Sequence, residues 1–390
     1  MSWNTTSLPW NPTTLTVESG KPPTLPTIWC AISGHGYGHA AQVVPILNAL
    51  HSLVPDLRII LRTTVPTSFF QDRLTGPWEH HTIQQDVGCI QDGPLTIDVP
   101  ATWAEHQRFH ASWDDRLAIE VAKIQQVQPH LILSNTSYLA LAAGAKAGVG
   151  TAAVVSLTWD EILDRYRAPA DPVQQALLAH IRWAYAQTDL ALRIAPGLPM
   201  TAFRQIQDIG PIASPSPSQR ERLRTMLALT SQEHLVLVGF GGIPLRALPW
   251  EHMNVMPNVR FLVDGPVETR YARIASLTDV PLRFGTVLAS VDLVMTKPGY
   301  GTIVECVADR IPVVFVRRYN FADEMSLVDY LHRYGRGVEL TLDDFQNGSW
   351  HRAIEQALTL PLPAEPPPLP TGAEEAARRL AALLARPSLR

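Results

Sequence analysis

Twice in this chain a short apolar run breaks into a glycine-rich turn and then into a helix-forming stretch. Thr27–Ser33 runs into Gly34-His35-Gly36-Tyr37-Gly38-His39, and Leu293–Thr296 runs into Lys297-Pro298-Gly299-Tyr300-Gly301-Thr302. A buried strand, a tight turn and a helix form the opening of a parallel α/β layer, which needs further units of its kind to cover both faces. The two openings lie in opposite halves of a 390-residue chain, long enough for about two domains of ordinary size. The fold class that follows is α/β, with two Rossmann-like halves.

The rhythm repeats around each opening. In the first half a helix is expected from about His39 to Leu53, then strands at Leu57–Arg62, Leu131–Ser134, Thr151–Ser156 and Leu190–Ile194, with helices over Tyr138–Ala147 and Val173–Gln187. In the second half helices are expected over Gln219–Leu229, Thr302–Ala308 and Asp323–Tyr334. Strands there fall at Leu235–Val238, Val259–Val263, Leu293–Thr296 and Val313–Val316. Between the halves, Pro196, Pro199, Pro211, Pro215 and Pro217 mark a linker. The expected division is a flexible N-terminal arm at 1–26, a first domain at 27–197, a linker at 198–218, a second domain at 219–370 and a C-terminal helix at 371–390.

Charge and cysteine content exclude several functions. With 32 Lys and Arg against 36 Asp and Glu, the net charge of −4 argues against a nucleic-acid partner. No apolar run reaches the ~18 residues of a transmembrane helix, and Met1–Pro26 lacks the apolar core of a signal peptide. Cys30, Cys89 and Cys306 are far apart and without Cys-x-x-Cys spacing, so the expected location is the cytoplasm, with reduced thiols.

The first turn is not a dinucleotide fingerprint, because its third glycine falls one place early, at Gly38 rather than at His39. Its two histidines can exchange protons near neutral pH, His39 at the entry to the helix and His35 inside the turn. The bland alternative is a helix-capping turn with exposed imidazoles. In the second turn Gly299 and Gly301 free backbone amides at a helix start. Lys297 brings a cation and Thr302 a hydroxyl at the expected N-cap, a set suited to a pyrophosphate. Glu305 lies one helical turn on, within reach of ribose hydroxyls. Alternatively, Thr302 and Glu305 simply close a capping box.

On these two motifs the sequence resembles glycosyltransferases of the GT-B fold, two Rossmann-like domains facing across a cleft. It is similar to the group that holds plant-type UDP-glycosyltransferases, the peptidoglycan N-acetylglucosaminyltransferase and proteins opening with Gly-His-Gly-x-Gly-His. The resemblance spans about Thr27 to Leu340. It implies an acceptor-binding first domain with His39 as catalytic base, and His35, Gly36, Tyr37 and Gly38 along the acceptor cleft. The second domain would hold the donor: Lys297, Gly299, Tyr300, Gly301 and Thr302 at the diphosphate, with Gly241 and Gly242 in a further phosphate-side loop. Glu305 would hold the ribose and Phe284 would stack on the base. Asp323 and Glu324 match a family Asp-Gln pair that contacts the donor sugar, with glutamate where glutamine is usual; the alternative reading is acidic residues of a helix's first turn.

A second departure is Asn135, which stands where the family places an aspartate beside the catalytic histidine. An amide orients an imidazole but does not offset its charge, and Asn135→Asp is expected to raise transfer. The implied activity is transfer of a sugar from a nucleotide-diphosphate donor, a UDP-sugar, to an acceptor hydroxyl, the acceptor being a small molecule, a glycan or a lipid. Inversion is expected because Lys297, not glutamate, stands eight places before Glu305. No metal and no further cofactor is expected, since no Asp-x-Asp triplet is present. Two alternatives stay open: a catalytically impaired nucleotide-sugar binding or regulatory protein, and a nucleotide-sugar 2-epimerase. Outside the motifs, His106 and His110 read as surface or acceptor-cleft residues. Trp103, Phe109 and Trp113 read as core, an acceptor lining or a peripheral contact with lipid.

Overall fold

The computed structural model describes residues 25–214, 216–241 and 248–385. Residues 1–24 of the expected arm, Pro215 and Gly242 lie outside the described residues.

The apolar runs of the first half become seven parallel strands: β1 (Thr27–Ile32), β2 (Arg58–Arg62), β3 (Trp78–His81), β4 (Leu131–Asn135), β5 (Thr151–Val155), β6 (Leu190–Ile194) and β7 (Ile206–Ile209). Their order is β3-β2-β1-β4-β5-β6-β7. Every residue of β1, β4 and β5 is buried, because a parallel sheet is covered on both faces and its strands read as unbroken apolar runs. The second half forms six parallel strands, β8 (His234–Val238), β9 (Val259–Val263), β10 (Ile274–Ser276), β11 (Leu293–Thr296), β12 (Val313–Phe315) and β13 (Gly337–Glu339), in the order β10-β9-β8-β11-β12-β13.

Each sheet reverses its strand order once, between β1 and β4 and between β8 and β11. Doubly wound sheets bind ligands outside the carboxyl ends of their strands at such a reversal. Both glycine-rich turns stand there. Ile32 pairs with Asn135, so the turn after β1 lies beside the end of β4. Val238 pairs with Met295, so Gly239 and Gly241 lie beside Lys297.

The structure corrects the expected linker. Within 198–218, Ile206–Ile209 forms β7 and pairs with β6 over Ala191↔Ile206 to Ile194↔Ile209. A four-residue edge strand is too short to show a period, and the prolines around it are tolerated at a sheet edge. The C-terminal helix, Gly372–Leu384, is not a separate appendage. It crosses back to pack on the helix Gly38–Leu53 and contacts β7. Ala373, Ala376, Ala377 and Leu380 are its buried face, and Gly372 permits the approach, since a methyl there would stand 2.0 Å from the Gly210 carbonyl oxygen.

The halves meet in three further places. One apolar cluster runs from Ile28 and Val43 through Leu223 and Ile303 to Leu380, and so spans both. Phe321 of the second half is buried in the core on the other face of the first sheet, with Trp159 and Leu163. In return Leu95, from the loop after β3, packs on the second-half cluster with Leu248 and Phe345. No helix among the described residues is long and apolar enough to cross a membrane.

Candidate active site

His39 is the second residue of the helix Gly38–Leu53, and burial leaves it 7% exposed. Its Nδ1 lies 2.8 Å from Asn135 Oδ1. Asn135 is the last residue of β4, so strand register alone carries it to His39. Its amide nitrogen donates to the Val154 carbonyl at 2.7 Å and to Gln42 Oε1 at 3.1 Å, while the Gln42 amide donates to Ser156 Oγ at 2.9 Å. Two acceptors on the nitrogen side oblige Asn135 to present its oxygen to the ring. Nδ1 therefore carries the proton and Nε2 is left as the acceptor, the tautomer a general base requires. Burial lowers the His39 imidazole to about 4, against the opposing effect of the Asn135 hydrogen bond, so the ring is neutral and ready to accept.

The next residue, Thr136, has φ of +68°, costly for a β-branched side chain and typical of over-determined functional sites. It is pinned by the Tyr185 hydroxyl, which donates to its carbonyl at 2.6 Å, and its own hydroxyl lies 3.3 Å from His39 Nδ1.

His35 is committed on both sides. The Gln91 amide donates to Nε2 at 3.2 Å, the ring meets Trp159 edge-on with centroids 5.0 Å apart, and Gly88, at φ of +73°, leaves room where a methyl would come within 2.9 Å of the ring. Burial pushes His35 down to about 3, and the charges of His39, Lys297 and Arg318 push the same way. Phe321 of the second half, which carries Arg318 over its ring at 4.0 Å, packs in one core with Trp159, the ring against which His35 rests, so the loop after β12 reaches the first glycine-rich turn. His35 is a wall of the cleft between them, with no free nitrogen for proton transfer. Tyr37 is exposed and stacks on Phe69 at 5.3 Å, beside Gly36 and Gly38, which are open to solvent.

Across the cleft, the Lys297 ammonium lies over two glycines. A methyl on Gly299 or Gly241 would stand 3.7 Å or 3.8 Å from Nζ. Burial lowers Lys297 to about 8, with Arg318 adding to the effect and Asp323 and Glu324 opposing it. The helix beyond begins at Tyr300, with Gly299 as its N-cap and no side-chain cap bond, so its first amides are left for a ligand. Gly301 and Thr302 lie inside its first turn. Thr302 is thus not the N-cap, and the capping box with Glu305 does not form. Half-buried Glu305 is raised to about 7 by burial, which outweighs a backbone hydrogen bond from Ser214. Phe284 opens the helix Phe284–Leu288 and remains 41% exposed, a face free for stacking.

Two donor-site expectations need correction. The Tyr300 hydroxyl donates to the Ala195 carbonyl at 2.8 Å and accepts from the Ile212 amide at 3.0 Å. That hydroxyl is a strut between the halves, which leaves Tyr300 only its backbone amide to offer a donor. Glu324 is fully buried in an ion pair: the Arg318 Nε donates to it at 2.5 Å and the Arg318 amide at 2.7 Å, so its carboxylate is spent within the protein. Asp323 keeps a buried, unpartnered Oδ1. Burial raises it to about 7, with Arg318 opposing. Of the acidic pair, only Asp323 has an oxygen to offer.

Sequence reading missed Arg318, Trp159, Gln91 and Asp86. Arg318 follows β12 at the carboxyl edge of the sheet, a position that could have flagged it. Gln91 and Asp86 sit in irregular stretches and Trp159 opens a six-residue helix too short to show a period, so these three give no signal. His106 is fully buried, with Nε2 2.8 Å from the Gly88 carbonyl, so it is not a surface residue, and half-buried His110 stacks on Trp113 and Tyr138. Trp103, Phe109 and Trp113 are core, which leaves none of them for lipid. No cluster of three or more metal-capable side chains stands among the described residues.

This is the GT-B fold, two Rossmann-like domains with their carboxyl edges on a common cleft. The structure is similar to the glycotransferase of kitacinnamycin (TM-score 0.62, 16% identity, 93% of this chain and 95% of that one). It is also similar to UDP-glucose: anthocyanidin 3-O-glucosyltransferase in complex with UDP (TM-score 0.59, 11% identity, 93% and 94%), and to Phytolacca americana UGT2 complexed with UDP-2fluoro-glucose and pterostilbene (TM-score 0.57, 16% identity, 92% and 94%). In sequence the chain is 26% identical over 336 residues to L-arabinokinase of Arabidopsis thaliana, covering 84% of this chain but only 32% of that protein, so it spans about a third of the relative's length. No family model matches.

Proposed function

We propose that the protein is a glycosyltransferase that moves a sugar from a nucleotide-diphosphate donor, a UDP-sugar, to an acceptor hydroxyl with inversion and without a metal ion. The observation that carries this reading is the single cleft on which an Nε2-free histidine faces an ammonium and an uncapped helix start. His39 Nε2 would take the acceptor's proton as its oxygen attacks the anomeric carbon and the bond to the diphosphate breaks. Lys297 and the first amides of the helix from Tyr300 would meet the charge on the departing phosphate. Glu305 would hold the ribose, Phe284 the base and Asp323 the sugar. The similar solved structures named for UDP and glucosyl transfer support this chemistry, and three free, buried cysteines suit the cytoplasm.

A second reading, a nucleotide-sugar binding or regulatory protein, is favoured by two observations. Asn135 supplies no charge to His39, and the curated relative is named for phosphorylating a sugar rather than transferring one. Nucleoside-diphosphate release from UDP-sugars, with and without a phenol or simple alcohol as acceptor, separates the two. Lys297→Ala and Glu305→Ala should each weaken nucleotide binding by about 1.5–3 kcal/mol in calorimetry, the scale of a charged hydrogen bond. His39→Ala should leave affinity within about twofold and cut turnover by roughly 10²–10⁴, the worth of a positioned base. Tight binding with no turnover in the parent would favour the second reading, and unchanged affinity in both donor-site variants would remove the donor assignment.

A further inference from the structure

One group in the cleft floor is left unused by this reading. Asp86 lies in the irregular loop after β3 and is 4% exposed. Its Oδ1 accepts from Ser33 Oγ at 2.9 Å, and its Oδ2 accepts from Ser137 Oγ and from the Trp159 indole Nε1, each at 3.1 Å. All three donors are neutral, and no salt bridge to Asp86 is present among the described residues. A buried carboxylate held only by neutral donors keeps much of its desolvation cost, so it is an unusual group to bury.

The three donors come from three separate segments of the acceptor side. Ser33 directly follows β1, and its hydroxyl also accepts the His35 amide at 3.3 Å. Ser137 lies two residues beyond Asn135. Trp159 opens the helix after β5, and its ring packs edge-on against both His35 and His39, with centroids 5.0 Å and 5.8 Å away.

We propose that Asp86 is a positioning residue of the acceptor site: its carboxylate fastens Ser33, Ser137 and Trp159 so that His35 and His39 stay in register. The functional part of this rests on the transferase reading; the fastening does not. Burial raises the Asp86 carboxyl to about 6, opposed by the three hydrogen bonds. The titratable groups that face it are the phenols of Tyr138 and Tyr185, which stay neutral throughout the range of interest. Its ionisation is therefore the event expected between pH 5 and 7 in this floor, and protonation would slacken the Trp159 contact.

Asp86→Asn is the test, because an amide can keep its oxygen toward Trp159 and Ser137 and donate to Ser33. In the parent, the Trp159 indole N–H resonance should titrate with a midpoint about 6, and the ratio of parental to Asp86→Asn turnover should fall along the same curve. In the full-length variant the resonance should not titrate and turnover at pH 8 should drop at least about tenfold, with UDP affinity within about twofold. Parental turnover at pH 8, a turnover ratio flat from pH 5 to 8, or an indole resonance that titrates as before, overturns the proposal. A parent that turns over no UDP-sugar removes the transferase reading, and the proposal is then judged by NMR alone: the His39 ring N–H signal must shift or broaden in Asp86→Asn, and an unchanged signal overturns it. If that variant does not fold, Ser137→Ala serves. Losing one donor should move the Trp159 midpoint upward, and an unmoved midpoint overturns the assignment.

Discussion

Asn135 stands beside His39 as a neutral amide, 2.8 Å from Nδ1. As a letter it marks a missing charge, and Asn135→Asp looks like a repair. In the fold its amide nitrogen faces the Val154 carbonyl at 2.7 Å. Aspartate would turn an oxygen onto that fixed acceptor, so Asn135→Asp should lower stability by about 1–3 kcal/mol in a denaturant titration, the cost of a buried mismatch; equal or greater stability would contradict the hydrogen-bond assignment. The earlier expectation of faster transfer therefore does not follow from charge alone. Glu305 offers a pH test. Burial raises its carboxyl to about 7, and ribose hydroxyls donate more strongly to the ionised form than to the neutral acid. The ratio of parental to Glu305→Gln nucleotide affinity should rise as pH climbs through 7 and fall below it. A ratio flat from pH 5.5 to 8.5 would remove Glu305 from the ribose site.

Elements with a sustained apolar run were legible. β1, β4, β5, β6 and β11 fall within a residue or two of the expected spans, since burial on both faces leaves an unbroken signature. β7, β10 and β13 were not, because three or four residues carry no period and their pairing is decided by neighbours remote in sequence. The C-terminal helix was legible as a helix but not in its place. Its spacing of alanines and Leu380 announces an apolar face, and only the fold shows that this face covers the helix carrying His39. Leu380→Ala should therefore cost about 2–4 kcal/mol by chemical denaturation, the usual loss for a buried leucine. A cost under 1 kcal/mol would mean that the helix is not docked there.

At the scale of the whole molecule, the halves hold each other by exchange: Phe321 enters the first-half core and Leu95 rests on the second-half cluster. Phe321 shares its loop with Arg318 and Asp323, so seating it carries the sugar-side charges toward His35. Phe321→Ala should lower turnover more than nucleotide affinity and enlarge the particle in small-angle scattering; a variant indistinguishable from the parent in both would show that the contact does not govern closure. The amino-acid sequence by itself determined two α/β halves, the turns that end β1 and β11, and the residue types at His39, Lys297 and Glu305, because local periodicity and glycine geometry act over a few neighbours. Which residues share the cleft was decided by tertiary structure alone. Glu324 was withdrawn into an ion pair with Arg318, Tyr300 became a strut, and Asp86 was set under Trp159, because burial and hydrogen-bond partners are assigned by strand order and packing, which join positions that no local pattern connects.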